Sequence, residues 1–252
     1  MSGHSKWSTI KHKKGANDKA RAKVFTKLIR EIVTAAKQGG SDSDINPRLR
    51  LAIQKAKQQN LPNDPLNRAI KRGAGELDGD DYEEGMYEGY GPNGVGLLVE
   101  VLTDNKNRTA ADIRHIFTKY GNALGSPGSV SYNFERVGQF IFPVSLGSED
   151  DFMEHVLESG AEDLISSDPE VHEVICAIED YETVGKYFEE KELEASESDL
   201  IMQPKLKIDL SGEDVLKMLK LLDKLEDNDD VQNVYSSFEA SDEEMEKALE
   251  AM

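Results

Sequence analysis

Apolar residues recur at helical spacing through the first quarter of the chain. Ala20, Val24, Leu28, Ile32 and Ala36 form one stripe, widened by Phe25, Ile29 and Val33, and Gly39-Gly40 ends it. Asn17 suits the N-cap, with Asp18 favourable against the helix dipole. A second helix is predicted from Asn46-Pro47, a cap followed by a first-turn proline, on Leu49, Ala52, Ile53 and Ala56, with Asn60 closing it. Asn63-Asp64-Pro65 restarts the chain, Leu66, Ala69 and Ile70 face inward, and Gly73 ends a third helix. Residues 17–75 therefore read as a small helical bundle.

Downstream the period changes. Val95, Leu97, Val99 and Val101 alternate as a strand, a helix over 106–120 follows on Ala110, Ile113, Phe117 and Tyr120, and Val130, Tyr132 and Phe134 alternate again. Residues 139–144 read as a strand and Ser148 with Asp151 opens a helix on Phe152, Val156 and Leu157. A short strand near Leu164, a strand at 171–177, a helix near 180–193 and a strand near 199–203 complete a β-α-β-β-α-β order. Leu206, Ile208 and Leu210 alternate, Ser211 caps a helix on Val215, Leu219, Leu222 and Leu225, and 231–236 forms a last strand. This final unit has no local partner, so it is expected to pair with 94–135 and to leave 136–204 as an insertion.

The expectation is an α+β chain with an N-terminal helical bundle and two α/β sandwiches of ferredoxin-like order, one inserted into the other. The divisions are a basic arm at 1–16, the helical domain at 17–75 and an acidic linker at 76–93. A discontinuous middle domain at 94–135 and 205–238, the insertion at 136–204 and an acidic tail at 239–252 follow.

Charge sharpens the division. Residues 1–75 hold 17 Lys and Arg against 5 Asp and Glu, an excess of +12, whereas 76–252 hold 13 against 44, a balance of −31. A polyanion responds to the local field within about 8–10 Å, so the basic end can attract phosphate although the whole chain carries −19. The candidate nucleic-acid contacts are Lys6, Trp7, Lys11, Lys13 and Lys14 in the arm, with Lys19, Arg21, Lys23, Lys27, Arg48, Arg50, Arg68, Lys71 and Arg72 on the helices. Trp7, the only tryptophan, either stacks on an unpaired base or packs the arm against the bundle. Helices 47–59 and 64–72 also fit a helix-turn-helix connection. Asp104 to Thr109 reads as ordinary capping or as a second phosphate contact through Lys106 and Arg108.

Other chemistry finds little support. Gly89-Tyr90-Gly91-Pro92-Asn93-Gly94 matches G-x-G-x-x-G, but Pro92 lies inside it and a strand follows, the reverse of a dinucleotide site. His4, His12, His115, His155 and His172 show no zinc spacing, and Cys176 alternates with Val174 as a buried thiol would. The single cysteine excludes a disulfide framework. No enzyme activity, cofactor or metal is expected. The chain has no run of ~20 apolar residues and 1–16 lack a signal-peptide core, so a cytoplasmic protein without a membrane partner is expected.

The stretches GHSKWSTIKHKKGANDKARAKVFTKLIREI, NPRLRLAI, LNRAIKRG, YEGYGPNGVGLLVEVLTDNKNRTAADIRHIF and GSVSYNFERVG closely resemble the YebC family, which includes the mitochondrial translational activator of cytochrome oxidase subunit I. The resemblance is strongest over 3–138 and weaker over 145–204. It implies a three-domain α+β protein with a helical N-terminal domain. Bacterial members are labelled DNA-binding transcriptional regulators. Other members are described as ribosome-associated factors that assist synthesis of difficult nascent sequences such as proline runs. The partner so implied is nucleic acid, DNA or ribosomal RNA, with the ribosome as its carrier in the second case. A third reading makes the acidic α/β domains a protein-interaction module.

Overall fold

The computed structural model describes Trp7, residues 18–79 and residues 81–252, with only the backbone of 18–20. The proposed Asn17 cap and the arm lysines Lys6, Lys11, Lys13 and Lys14 lie outside these residues, as does the side chain of Lys19.

Three helices open the described chain: α1 (Asp18–Gly39), α2 (Pro47–Gln58) and α3 (Asn63–Gly73). Ile32, Val33, Ala36, Leu49, Ala52, Ala56, Leu66 and Ala69 form their shared core. Small residues let the axes approach closely. A Cβ at Gly73 would meet the Val33 carbonyl oxygen at 2.4 Å. Asn46 fixes the α1–α2 corner, its buried side chain donating to the carbonyls of Ala35 (2.9 Å) and Gly40 (2.8 Å) and accepting from the Leu49 amide (3.1 Å). Helix α3 has no side-chain cap; Pro62 occupies that position.

The outer sheet comprises β1 (Glu83–Tyr90), β2 (Gly96–Thr103), β3 (Ala123–Leu124) and, after a long excursion, β9 (Val231–Ser236), in the order β3-β1-β2-β9. One face packs on α4 (Lys106–Tyr120), α7 (Glu213–Glu226) and α8 (Asp242–Glu250), through Leu97, Val99, Ile113, Phe117, Met218, Leu219, Leu222 and Met245. The excursion builds a second sheet from β4 (Phe134–Pro143), β5 (Asp163–Ile165), β6 (Val171–Cys176) and β7 (Glu197–Pro204), ordered β5-β6-β4-β7. Helices α5 (Glu149–Ser159) and α6 (Tyr181–Glu190) cover it over Phe140, Phe142, Phe152, Val156, Val174 and Phe188. The capping box of Ser148 and Asp151 starts α5.

Three expectations change. Residues 83–90, read as part of an acidic linker, are β1, paired antiparallel with both β2 and β3. Their three glutamates and two glycines hid a strand whose Gly89 lies under Phe117, where a Cβ would come within 2.3 Å of the ring. The expected strand at 130–134 is instead a single 3-10 turn, Ser131–Asn133, and Phe134 already belongs to β4. The expected strand at 206–210 shrinks to β8 (Ile208–Asp209), parallel to β10 (Phe238–Glu239) and apart from the outer sheet. The outer unit therefore lacks β-α-β-β-α-β order, because β1 fills the place assigned to a later strand. Helix α7 is also entered differently, from Gly212 at φ 59° without a side-chain cap from Ser211.

Candidate nucleic-acid interface

Helix α1 presents Lys23, Lys27 and Arg30 at spacings of four and three, which places them on one face. That face is occupied. Lys23 pairs with Asp227 and also donates to its carbonyl oxygen (3.1 Å), and Lys27 donates to the Glu226 carbonyl (2.8 Å). Arg30 donates to the carbonyls of Leu102 (3.1 Å) and Asp229 (2.7 Å) and to Asp230 Oδ1 (2.7 Å). The carbonyls at the end of α7 carry the negative end of its dipole, so this acidic turn is suited to cations.

Asp230 is the centre of the contact. Besides Arg30 it accepts from Arg108 (2.9 and 2.8 Å), Thr109 Oγ1 (2.7 Å) and Thr103 Oγ1 (3.3 Å). Burial alone would raise its pKa, but the hydrogen bonds from Arg108, Thr109 and Arg30 outweigh it and hold the carboxyl below its ordinary value. Arg108 also pairs with Asp104 (2.7 Å), and Lys106 with Glu83 (2.5 Å). Asn105 caps α4 by accepting from the Arg108 amide. Arg108 is thus engaged by Asp104 and Asp230 while its side chain stays 44% exposed, and Lys106 is exposed as well.

The second helix is engaged in the same manner. Arg48 forms a two-pronged contact with Glu31 (2.7 and 3.0 Å), donates to Gln38 (2.7 Å) and pairs with Glu84 (2.5 Å). Burial works against its charge, yet Glu31 and Glu84 raise its pKa overall. Arg50 pairs with Glu182 in the first turn of α6, and Lys55 with Asp199 on β7 (2.5 Å). Near Arg50 an open cleft of about 390 Å³ is lined by Ser43, Ile53, Lys57 and Glu194. Lys37 meets Asp81 at 2.7 Å.

A different set faces solvent. Arg21 is exposed, its guanidinium 5.3 Å from the Phe25 ring. Arg68 is exposed and pairs with Asp64 one turn earlier, at 3.2 Å. Lys71 is exposed in the last turn of α3, and Arg72 beside it is half-buried with its Nε lacking a hydrogen-bond partner. The structure thus separates the helical candidates into Lys23, Lys27, Arg48 and Arg50, which join parts of the molecule, and Arg21, Arg68 and Lys71, which face outward, with Arg72 half-buried between the two sets.

Trp7 is corrected outright. It is 4% exposed within the core of the outer unit, and its indole N–H donates to Glu226 Oε1 at 3.0 Å. It neither offers a face to a base nor joins the helical bundle core. Sequence reading also left Lys37, Lys55 and Arg30 out of the contact set and gave no role to Asp230. Their partners lie far along the chain, 200 residues apart for Arg30 and Asp230, and no local spacing connects them.

Gly89 to Gly94 closes the β1–β2 hairpin, with Asn93 at φ 53° and Gly94 at φ 81°. No helix N-terminus follows it. Cys176 is fully buried, and burial with Asp180 and Glu162 nearby pushes its thiol up to about 11. His172 is buried with both ring nitrogens in hydrogen bonds, to Ser166 and the Gly147 carbonyl, whereas His115 is exposed. Among the described residues no cluster of three metal-ligating side chains occurs, and no helix is long and apolar enough to cross a membrane.

Fold and surface together define an α+β protein whose cation-rich helical end is clasped by carboxylates of two sheet-bearing units. The chain belongs to the TACO1/YebC family: residues 5–76 match its N-terminal domain and residues 82–238 its second and third domain. A "probable transcriptional regulatory protein" of Syntrophotalea carbinolica is 51% identical over 99% of this chain and the whole of that protein. One of the same description from Persephonella marina is 50% identical over 98% of this chain and 99% of its own. A crystal structure of a conserved hypothetical protein from Aquifex aeolicus superposes with a TM-score of 0.82 at 42% identity, over 89% of this chain and 93% of that one.

Proposed function

We propose that this protein is a non-enzymatic, nucleic-acid-binding regulator of gene expression, acting in the cytoplasm. It grips phosphate backbone through Lys6, Lys11, Lys13, Lys14 and Lys19 together with the outward-facing Arg21, Arg68 and Lys71. The observation that carries this reading is the +12 excess of residues 1–75, of which Arg21, Arg68 and Lys71 remain turned to solvent. The regulatory description of the relatives points the same way. Lys23, Lys27, Arg48 and Arg50 hold the helical domain in position instead.

The test is a binding titration over several salt concentrations with a DNA duplex and a ribosomal RNA fragment. Each neutralised phosphate contributes about 0.7–0.9 to the slope of log affinity against log salt. Arg68→Glu with Lys71→Glu is expected to weaken binding and flatten that slope by about 1.4–1.8 for two contacts. An unchanged slope refutes the assignment. Crosslinking in living cells then distinguishes the targets. Enrichment of ribosomal RNA supports a ribosome-associated translation factor, enrichment of promoter DNA a transcriptional regulator, and enrichment of neither favours protein docking by the acidic units.

A further inference from the structure

The chain leaves the outer unit for the second sheet at 130–134 and leaves that sheet for β8 at 204–208, and the two crossings are tied together. The Asn133 side chain donates to the Leu206 carbonyl (2.8 Å) and accepts from the Leu206 amide (2.9 Å). The Lys205 amide donates to the Asn133 carbonyl (2.8 Å). The approach to the first crossing is fixed as well. Glu88 accepts backbone N–H bonds from Gly128 (2.7 Å), Val130 (2.6 Å) and Ser131 (2.9 Å).

This braced junction pushes two large side chains into water. Tyr132 is 76% exposed and Leu206 72% exposed, although Val130 and Phe134 on either side of Tyr132 are buried. Leaving such side chains in solvent forgoes favourable burial, and the backbone around them is held too firmly for either to fold inward. Lys205 and Lys207 flank Leu206. Their internal contacts are long, at 3.4 Å to Glu135 and 3.5 Å to Glu239, the first of them an open surface pair of the kind that contributes little and the second partly covered. Both ammonium groups can therefore turn to another anion at small cost.

An exposed aromatic ring on a braced backbone, with weakly held cations on the neighbouring crossing, is an arrangement that can take an unpaired base with its adjoining phosphates. We propose that Tyr132, with Leu206 beside it, is a stacking platform for an unpaired nucleobase, and that Lys205 and Lys207 meet the neighbouring phosphates. The inference rests on the nucleic-acid reading above and adds a single-stranded element to it. It also moves the aromatic contact from Trp7, which is buried, to a site on the otherwise acidic part of the chain.

The test uses the full chain with a fluorescently labelled 12-nucleotide single-stranded RNA and an RNA duplex of matched phosphate number. Tyr132→Ala is expected to weaken the single strand about 5- to 150-fold and to leave duplex affinity unchanged. Tyr132→Phe keeps the ring and is expected to bind like the parent. Lys205→Gln with Lys207→Gln should reduce the salt slope, whereas Tyr132→Ala should leave it unaltered. Circular dichroism checks that each variant is folded; the Tyr132 side chain itself is 76% exposed. Equal affinity of Tyr132→Ala and parent for the single strand overturns the platform and favours protein docking there. If the parent binds the duplex with a steep salt slope in that case, the wider nucleic-acid reading stands. If the parent binds neither RNA, both fall.

Discussion

Asp230 offers the sharpest test of how the helical domain is attached. Its side chain is 5% exposed and accepts from two guanidinium groups and two threonine hydroxyls. Removing one member of a buried ion pair costs about 3–5 kcal/mol, because the remaining charge is stranded. Arg108 is 44% exposed and recovers part of that in water, whereas Arg30, at 13%, cannot. The lower end applies, about 3 kcal/mol for Asp230→Ala and about 2 kcal/mol for the isosteric Asp230→Asn. For a chain of this size about 3 kcal/mol corresponds to a melting shift of roughly 6–12 °C. The sign with pH follows from the depressed carboxyl pKa. Stability from such a group is fully present above its unfolded value, about 3.9, and is lost as pH falls through the lower folded value. Thermal melts of parent and Asp230→Asn followed by circular dichroism should differ fully at pH 7 and converge below about pH 4. A difference under about 0.5 kcal/mol at pH 7, or one that persists undiminished at pH 2, refutes Asp230 as the electrostatic pivot.

Glu88→Ala removes the acceptor for three backbone amides, and amide exchange at Gly128, Val130 and Ser131 should accelerate by at least about tenfold; protection like the parent's would show that the loop holds itself. Gly89→Ala would force a methyl to within 2.3 Å of the Phe117 ring, so a loss of about 1–3 kcal/mol is expected in urea unfolding, and a neutral result would mean that α4 shifts freely. Cys176, buried and with its thiol raised to about 11, should resist iodoacetamide at pH 8 until the protein unfolds; prompt native labelling measured by mass spectrometry would contradict its burial.

Elements with strong local signals were readable in the sequence. Helix α4 runs over Lys106–Tyr120 as its apolar spacing predicts, and Ser148 with Asp151 marks the start of α5. Strand β1 escaped because Glu83, Glu84, Gly85, Glu88 and Gly89 carry the composition of a linker; its pairing with β2 and the packing of Phe117 decide the matter. Tyr132 and Leu206 were placed in strands because alternation marks side-chain direction but cannot reveal that the backbone leaves the sheet. At the candidate interface, the sequence located the basic segment and not the division of labour within it. Whether Lys27 or Lys71 meets solvent depends on an acidic turn near residue 226, which no periodicity links to α1.

The placement of β9 sets an order of events during synthesis. Strand β2 pairs with β9, and Asn233, which donates to Glu100, lies 133 residues after it. At about 5–20 residues per second, β2 leaves the ribosome roughly 7–27 s before β9 exists, and α4 waits most of that time for α7. Over that interval Leu97, Val99, Ile113 and Phe117 have no α7 to cover them, while the intervening β4–β7 sheet has all its strands and can close. Trp7 waits longer still, since its partner Glu226 lies 219 residues onward. The unit that emerges in two pieces is thus the last to become watertight.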